Sequence, residues 1–569
     1  MRSRGGLALL GVVALLVAGC GGLPIASGIR IERTVAPDTA DQDAPDVHVL
    51  PPMPTAGSTP TDIVRGFLNA QADAENDYAI ARDYLAPGTS WNTTGAVSVY
   101  AAAAYAIPAA QPRSTAVTSV AVTLMRTASL SASGVYAPQA DQIADAFTLL
   151  LIRGQWRISA PPAGLQLTDG DLQRSYIPST LWWLAPGTSL LVPEIRWLPA
   201  NASGQQTELV RALLAGPSDT LARVVGTAVP PGVTLEGSVS TNGPDVVVDL
   251  DQAAALLDAE QARLLLDQLA LTLEPVSSGT GVRLEVGGQP VSIGNVPSEL
   301  TFTAASAFDQ DSPPVQAPTL ALAAGRLIAL SGTQSAPAAA ALAGRALVSV
   351  VAAPTGGRTA AVVRVGTSEQ VLVVDGDGVV QTVAGPGVYG MPSWSYTGTL
   401  IVPAGPDLLV LRPGVATAVR ARYPGSIGTV TSARLARDGV RVLLVAGAAG
   451  ASAAFVATLA DSTGSPQLGA PVAVSTGLGT VLAAGWASST TLALLVTPSG
   501  GAPELTQLNV DGSLGESVPL PAAVGTTGLT LAVAPGAGLL IGGGGLVEQL
   551  TGGSAWRPVA HASAAAAPS

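Results

Sequence analysis

A chain of 569 residues that is 48% hydrophobic and 12% charged is too long for one core and too apolar for disorder, so three or four folded domains are expected. Its net charge of −12 disfavours nucleic acid and anionic lipid surfaces, each of which needs a basic footprint. The single cysteine and the two histidines, His48 in a Pro/Asp-rich stretch and His561 in an Ala/Ser tail, exclude disulfides, Ser-His-Asp triads and histidine-bearing zinc sites, and leave carboxylate chemistry as the open catalytic route.

Arg2 and Arg4 precede an apolar run over residues 7–17 that ends in Val17-Ala18-Gly19-Cys20. A basic start, a short apolar segment and small residues before a cut describe a secretory leader, too short to span a bilayer. The Val-Ala-Gly-Cys ending resembles a bacterial lipobox. The resemblance implies removal of residues 1–19 and acylation of Cys20, which would carry an N-acyl and an S-diacylglycerol group. One acyl chain holds a membrane only marginally, whereas two or more give stable attachment. Residues 20–58, with Asp38, Asp41, Asp43 and Asp46 among Pro37, Pro45, Pro51, Pro52 and Pro54, read as a solvated tether.

The first domain, residues 59–165, is predicted to be α+β. Thr59 caps a helix with Pro60 at its first position and Asp62 in its first turn, and Ile63, Val64, Phe67 and Leu68 keep helical spacing. A second helical stretch carries Tyr78, Ala81, Tyr84 and Leu85. Strands are expected near 97–105, 115–124, 146–152 and 156–158. The closing Gly-Gln-Trp-Arg-Ile of 154–158 looks like the last strand of a nuclear-transport-factor-like cone, with Trp156 as a core plug.

The second domain, residues 178–300, begins with two strands, 181–184 and 190–197, joined at Pro186-Gly187. Residues 207–217, Thr-Glu-Leu-Val-Arg-Ala-Leu-Leu-Ala-Gly-Pro, form an amphipathic helix with its own stop signal. A Pro-Pro-Gly turn at 230–232 and a β-branched strand over 246–250 follow. A helix then starts near Asp258, with Gln261 in the reciprocal capping position. A strand over 282–286 and Gly-Gly-Gln-Pro-Val of 287–291 close the unit. These blocks in this order resemble the GerM-like (GerMN) domain, an α/β unit.

From about residue 318 to 558 short apolar strands alternate with Gly/Pro/Ser turns, in units that begin near Thr319, Leu347, Pro392, Thr431, Leu482 and Leu529. The spacing brackets a four-stranded propeller blade, and five to seven blades fit. Arg437-Asp438-Gly439-Val440-Arg441 marks a hairpin like those of TolB-like propellers, and Trp394 and Trp486 recur at similar points in two units. Residues 559–569 read as a disordered Ala/Ser tail. Lipobox, tether, GerM-like unit and degenerate propeller, together with Pro392-Ser393-Trp394-Ser395 and the blocks from Arg422-Tyr423-Pro424-Gly425 through Arg437-Asp438-Gly439, make the whole chain resemble the LpqB family of actinobacterial lipoproteins.

That resemblance implies a lipid-anchored protein on the extracytoplasmic face of the cell membrane, which associates with an MtrB-like sensor histidine kinase and influences cell-wall homeostasis and division. No catalytic residue, cofactor or metal is expected. Two rival functions remain: a cell-wall glycan sensor using exposed aromatics such as one of Trp182 and Trp183, and a carboxylate-dependent wall hydrolase using Asp245, Asp249 or Asp251. Asp375-Gly376-Asp377-Gly378 lacks the remaining carboxylates of a calcium loop and reads as a hairpin turn. The glycines at 542–545 precede no Lys-Ser/Thr pair and read as a turn as well. Asn92 and Asn201 head glycosylation sequons, which carry little weight in a bacterial lipoprotein.

Overall fold

The computed structural model describes residues 51–101, 111–112, 116–188, 190–200, 204–291, 296–305, 317–331, 336–448, 450–460, 464–534, 538–562 and 564–566. The Thr59 side chain accepts from the Asp62 N–H and Asp62 accepts from the cap N–H, which starts helix α1 (Pro60–Ala70). Ile63, Val64, Phe67 and Leu68 are buried on its inner face. The second helical stretch, α2 (Glu75–Asp83), is less regular than its spacing predicts. Asn76, Asp77 and Tyr78 take left-handed dihedrals with φ of 49°, 57° and 59°, a region that Asn and Asp tolerate better than tyrosine.

Behind these helices lies a sheet of β1 (Val97–Tyr100), β2 (Val117–Leu130), β3 (Tyr136–Ile152), β4 (Gln155–Ala160) and β5 (Leu165–Thr168), in the order β4-β3-β2-β1-β5. The short strand Gln111–Pro112 pairs beside β2. β5 runs parallel to β1, so the sheet extends past residue 165. β2 and β3 are longer than the expected 115–124 and 146–152. The added half of β3, from Tyr136 to Asp145, holds only half-buried and exposed residues. It has no apolar periodicity to announce it, and its ladder to β2 holds it extended. Trp156 is half-buried on β4 and packs against the core.

Helix α3 (Asp169–Ser175) leads into the hairpin β6 (Tyr176–Leu184) and β7 (Leu191–Pro199). After α4 (Gln205–Leu214), β8 (Asp245–Leu250) and β9 (Gly281–Val286) lie parallel, connected through α5 (Ala259–Leu273), with β10 (Glu299–Thr301) antiparallel to β9. Parallel neighbours require such a crossover. Asp258 and Gln261 form the reciprocal cap read from the sequence. Leu265, Leu266, Leu269 and Leu273 of α5 join Trp182 and Trp183 in one core, each leucine contributing about 1.5–3 kcal/mol of transfer free energy.

Among the described residues, those from Thr319 to Ala566 build a six-bladed propeller. Five blades occupy residues 346–387, 393–422, 429–473, 480–519 and 530–560. Each has four radial positions; in the third, Gln467–Leu468 and Val472–Ala473 share the outer one. The sixth blade is built from both ends of the domain, with Ala564–Ala566 antiparallel to Thr319–Ala323, which pairs in turn with Arg326–Ser331. The innermost strands, Ala346–Ala352, Ser393–Trp394, Thr429–Leu435, Thr480–Trp486, Thr530–Ala534 and Ala564–Ala566, each touch the next, and the last touches the first. Of the region 559–569 expected to be a disordered tail, the described residues 559–560 and 564–566 therefore belong to the fold. Ala555–Ala560 is the outer strand of the fifth blade and 564–566 close the ring. Ala/Ser-rich composition signals a tail only where no distant strand is waiting to pair with it.

Candidate functional site

Val17, Ala18, Gly19 and Cys20 lie outside the described residues. Among the described residues no helix is long and apolar enough to cross a membrane. Pro52, near the end of the segment read as a tether, is fastened to the first domain, where the Tyr84 hydroxyl donates to the Pro52 carbonyl at 2.6 Å.

A buried polar arrangement marks the place where the three folded parts meet, and strand β7 lies at its centre. Residues 191–197 of that strand are all buried, a pattern of a strand covered on both faces. On one face Ile195 and Trp197 enter an apolar cluster shared by the first domain and the propeller. On the other, the Arg196 guanidinium is 2.8 Å from the Glu194 carboxylate, with side chains only 2% and 8% exposed. Glu194 also accepts from Trp183 Nε1 at 2.9 Å and from the Ser218 N–H at 3.3 Å. Arg196 donates to the Ser133 and Gly216 carbonyls. Glu194 and the two terminal nitrogens of Arg196 thus have partners, while Arg196 Nε is buried without one; such added hydrogen bonds offset the desolvation of a buried ion pair.

The first domain reaches β7 through a tight turn. The Trp197 N–H donates to the Gly134 carbonyl at 2.8 Å, and Tyr136 stacks on the Trp197 ring at 5.7 Å. Gly134, at φ 78°, lies so near the Trp197 carbonyl that a Cβ would collide with it. The propeller contributes two residues. Asp511 accepts from Trp197 Nε1 at 3.2 Å, and burial raises its carboxyl above the ordinary range, against the opposing bonds from Ser513 and Trp197. Arg441 pairs with Asp438 at 2.7 Å, fully buried, donates to the Pro193 carbonyl at 3.3 Å and stands 5.0 Å over the Trp486 ring. The Arg-Asp-Gly-Val-Arg segment is the hairpin its sequence predicts, yet its second arginine also secures the propeller to β7. The sequence reading missed Glu194, Arg196, Trp197 and Asp511. The available signal was a Glu-x-Arg pair inside an otherwise apolar strand.

The residues weighed for other chemistry have structural roles. Trp182 and Trp183 are both buried, so neither offers the exposed platform that a glycan sensor was expected to use. Asp245 pairs with Arg283 at 2.8 Å, Asp249 accepts from the Gly288 N–H, and Asp251 accepts from Thr234 and caps a short 3-10 turn. Asp245 and Asp249 share a strand face about 13 Å apart at about 3.3 Å per residue, beyond the roughly 5–10 Å that paired glycosidase carboxyls need. Asp375 accepts the backbone hydrogen bond of Gly378 in a hairpin turn and pairs with Arg358. Gly544 and Gly545, at φ 57° and 80°, form another. Asn92 accepts from the Thr94 N–H and hydroxyl, and Asn201 lies outside the described residues.

These features define a class: an α/β domain, a GerMN-like unit and a propeller, interlocked around one buried strand. Residues 53–173 match the model of the N-terminal domain of Lipoprotein LpqB, residues 180–292 a model described as sporulation and spore germination, and residues 325–569 the Lipoprotein LpqB beta-propeller domain. The chain belongs to the LpqB family of lipoproteins. It is 27% identical to Lipoprotein LpqB of Streptomyces coelicolor over 99% of this chain and 98% of that one. It is 33% identical to that of Cutibacterium acnes over 52% of this chain and 49% of the relative. Among solved structures, the tandem GerMN domains of the sporulation protein GerM from Bacillus subtilis align at 19% identity and a TM-score of 0.20, over 22% of this chain and 45% of that one. TolB from Acinetobacter baumannii aligns at 12% and 0.35, over 59% and 99%.

Proposed function

We propose that this lipoprotein is a non-enzymatic accessory of a membrane signalling protein, and that it binds and modulates the extracytoplasmic part of an MtrB-like sensor histidine kinase to influence cell-wall homeostasis and division. The observation that carries the reading is the likeness to lipoproteins of one family along nearly the whole chain. The interlocked junction supports it, because an assembly joined by Trp197, Arg196 and Arg441 presents the GerMN-like and propeller surfaces in a fixed relation. Acylated at Cys20 on the outer face of the membrane, the protein shares a surface with its partner, so a modest intrinsic affinity suffices.

The test is affinity capture from detergent-solubilised host membranes with the full chain as bait, read by mass spectrometry. Enrichment of one sensor kinase, lost when that kinase's external domain is deleted, is the expected result; recovery of wall fragments alone, or of nothing, overturns the reading. For the anchor, Cys20→Ala is expected to give a released, normally folded protein with impaired signalling, and full complementation by that released form would sink it.

A further inference from the structure

We propose that the first domain carries a binding pocket for a phosphate ester of a sugar or polyol. A cavity of about 580 Å³ opens between the end of α2, the turn that follows it and the β3–β4 hairpin, a size suited to a small ligand. Three arginines line it, Arg82, Arg153 and Arg157, against one carboxylate, Asp83. In a chain of net charge −12 this is a local reversal of sign; even with the Asp77 carboxylate that pairs with Arg82 counted beside Asp83, one positive charge remains in surplus, of the sign that a phosphate ester needs. Guanidinium groups bind phosphate oxygens through paired, charge-assisted hydrogen bonds.

The three arginines are set for such a ligand in different ways. Arg157 donates to the Trp156 carbonyl and to Gln155 Oε1, both at 2.8 Å; these neutral acceptors orient the group without cancelling its charge. Arg82 is fixed by the Asp77 carbonyl at 2.7 Å and the Asp77 carboxylate at 2.8 Å, and stands 5.7 Å over the Trp91 ring. Arg153 sits exposed at the hairpin tip, where it and Gly154 both take positive φ, 50° and 76°. Asn or Asp is the favoured residue at the first of two such positions. An arginine held there stores strain of the kind that collects at functional sites. Leu85 and Ile152 add apolar surface to the lining, suited to the carbon face of a sugar or polyol. Leu85 directly follows Tyr84, which holds Pro52 of the segment read as a tether, so the ester can come from a lipid headgroup or from a soluble compound. The pocket is distinct from the β7 junction and needs no protein partner.

The experiment is calorimetric titration of the full chain in neutral detergent micelles, with inositol 1-phosphate as the soluble probe and mixed micelles containing phosphatidylinositol as the lipid probe. Saturable binding is expected, at least tenfold weaker for the Arg153→Gln/Arg157→Gln double variant and unchanged for Arg223→Gln, an exposed arginine of the GerMN-like unit. Binding of the soluble ester identifies a free ligand; binding only in the lipid micelles identifies a headgroup; either supports the pocket. Circular dichroism of the double variant separates lost binding from lost fold. No saturable binding of either probe, or equal binding by a folded double variant, overturns the proposal.

Discussion

The GerMN-like unit and the propeller close their cores by different means. In the former, β8 and β9 are neighbours separated by one crossover helix, and that helix is started by its own capping pair, Asp258 and Gln261. In the propeller, five blades are local meanders, but the ring exists only because residues 564–566 return to pair with residues 320–322. Local capping chemistry can specify an element wherever it sits; closure depends on two ends of a domain meeting. The entropic cost of joining distant ends rises only logarithmically with chain length, so a short strand suffices once the other five blades are in place.

The largest effect that would test this contrast comes from the shortest deletion. Removing residues 563–569 takes away the innermost strand of the sixth blade and is expected to leave the propeller open, with limited proteolysis cutting within residues 317–331 and 530–562 while the GerMN-like unit stays resistant. Equal resistance of all parts would show that the ring does not need its last strand. Next comes the place where the two regions meet. Trp197→Ala removes the stacking partner of Tyr136 and the donor to Asp511, and is expected to cost about 3–5 kcal/mol in urea unfolding, the range for a buried tryptophan. The unfolding transitions of propeller and first domain, expected to coincide in the parent chain, should separate.

Within the GerMN-like unit smaller changes are expected. Asp267 on α5 has a carboxyl pushed up to about 6, mainly by burial, with Arg263 opposing. A carboxyl raised in the folded state binds its proton more tightly there, so its favourable contribution is present below about pH 4 and is lost as pH rises through about 6. Asp267→Asn is therefore expected to gain about 1–2 kcal/mol relative to the parent at pH 7, and to show no gain at pH 3.5. The smallest effect is Asp258→Ala, which removes the cap of α5 and is expected to cost about 1 kcal/mol, confined to the unfolding of that unit.

Much of this was legible in the chain. Thr59 with Asp62 and Asp258 with Gln261 announced their helices, because a cap is made by residues three apart and survives any tertiary context. The apolar runs of the blades announced strands and a propeller, and the hairpin turns at 375–378 and 542–545 were readable from their glycines. The polar half of β3 was silent, since a strand with only half-buried and exposed residues leaves no period-two trace, and the kink at Asn76–Tyr78 replaced a regular helical turn. The junction was hidden for another reason. Trp182 and Trp183 alternate in a strand and were expected to point one inward and one outward, but α4 and α5 both pack on β6 and both rings join the one core of the GerMN-like unit.

The sequence by itself determined the class of each part, the order of the parts and the caps and turns that start and stop their elements, because those follow from residue spacing over a few positions. Only the tertiary structure decided the six-fold ring, the inclusion of the Ala/Ser-rich end in it, and the union of Glu194, Arg196, Trp197, Arg441 and Asp511 at one buried strand. The physical reason is the same in each case: a hydrogen bond or an ion pair between residues hundreds of positions apart leaves no periodicity in the chain, and its partners become recognisable only when packing has removed them from water.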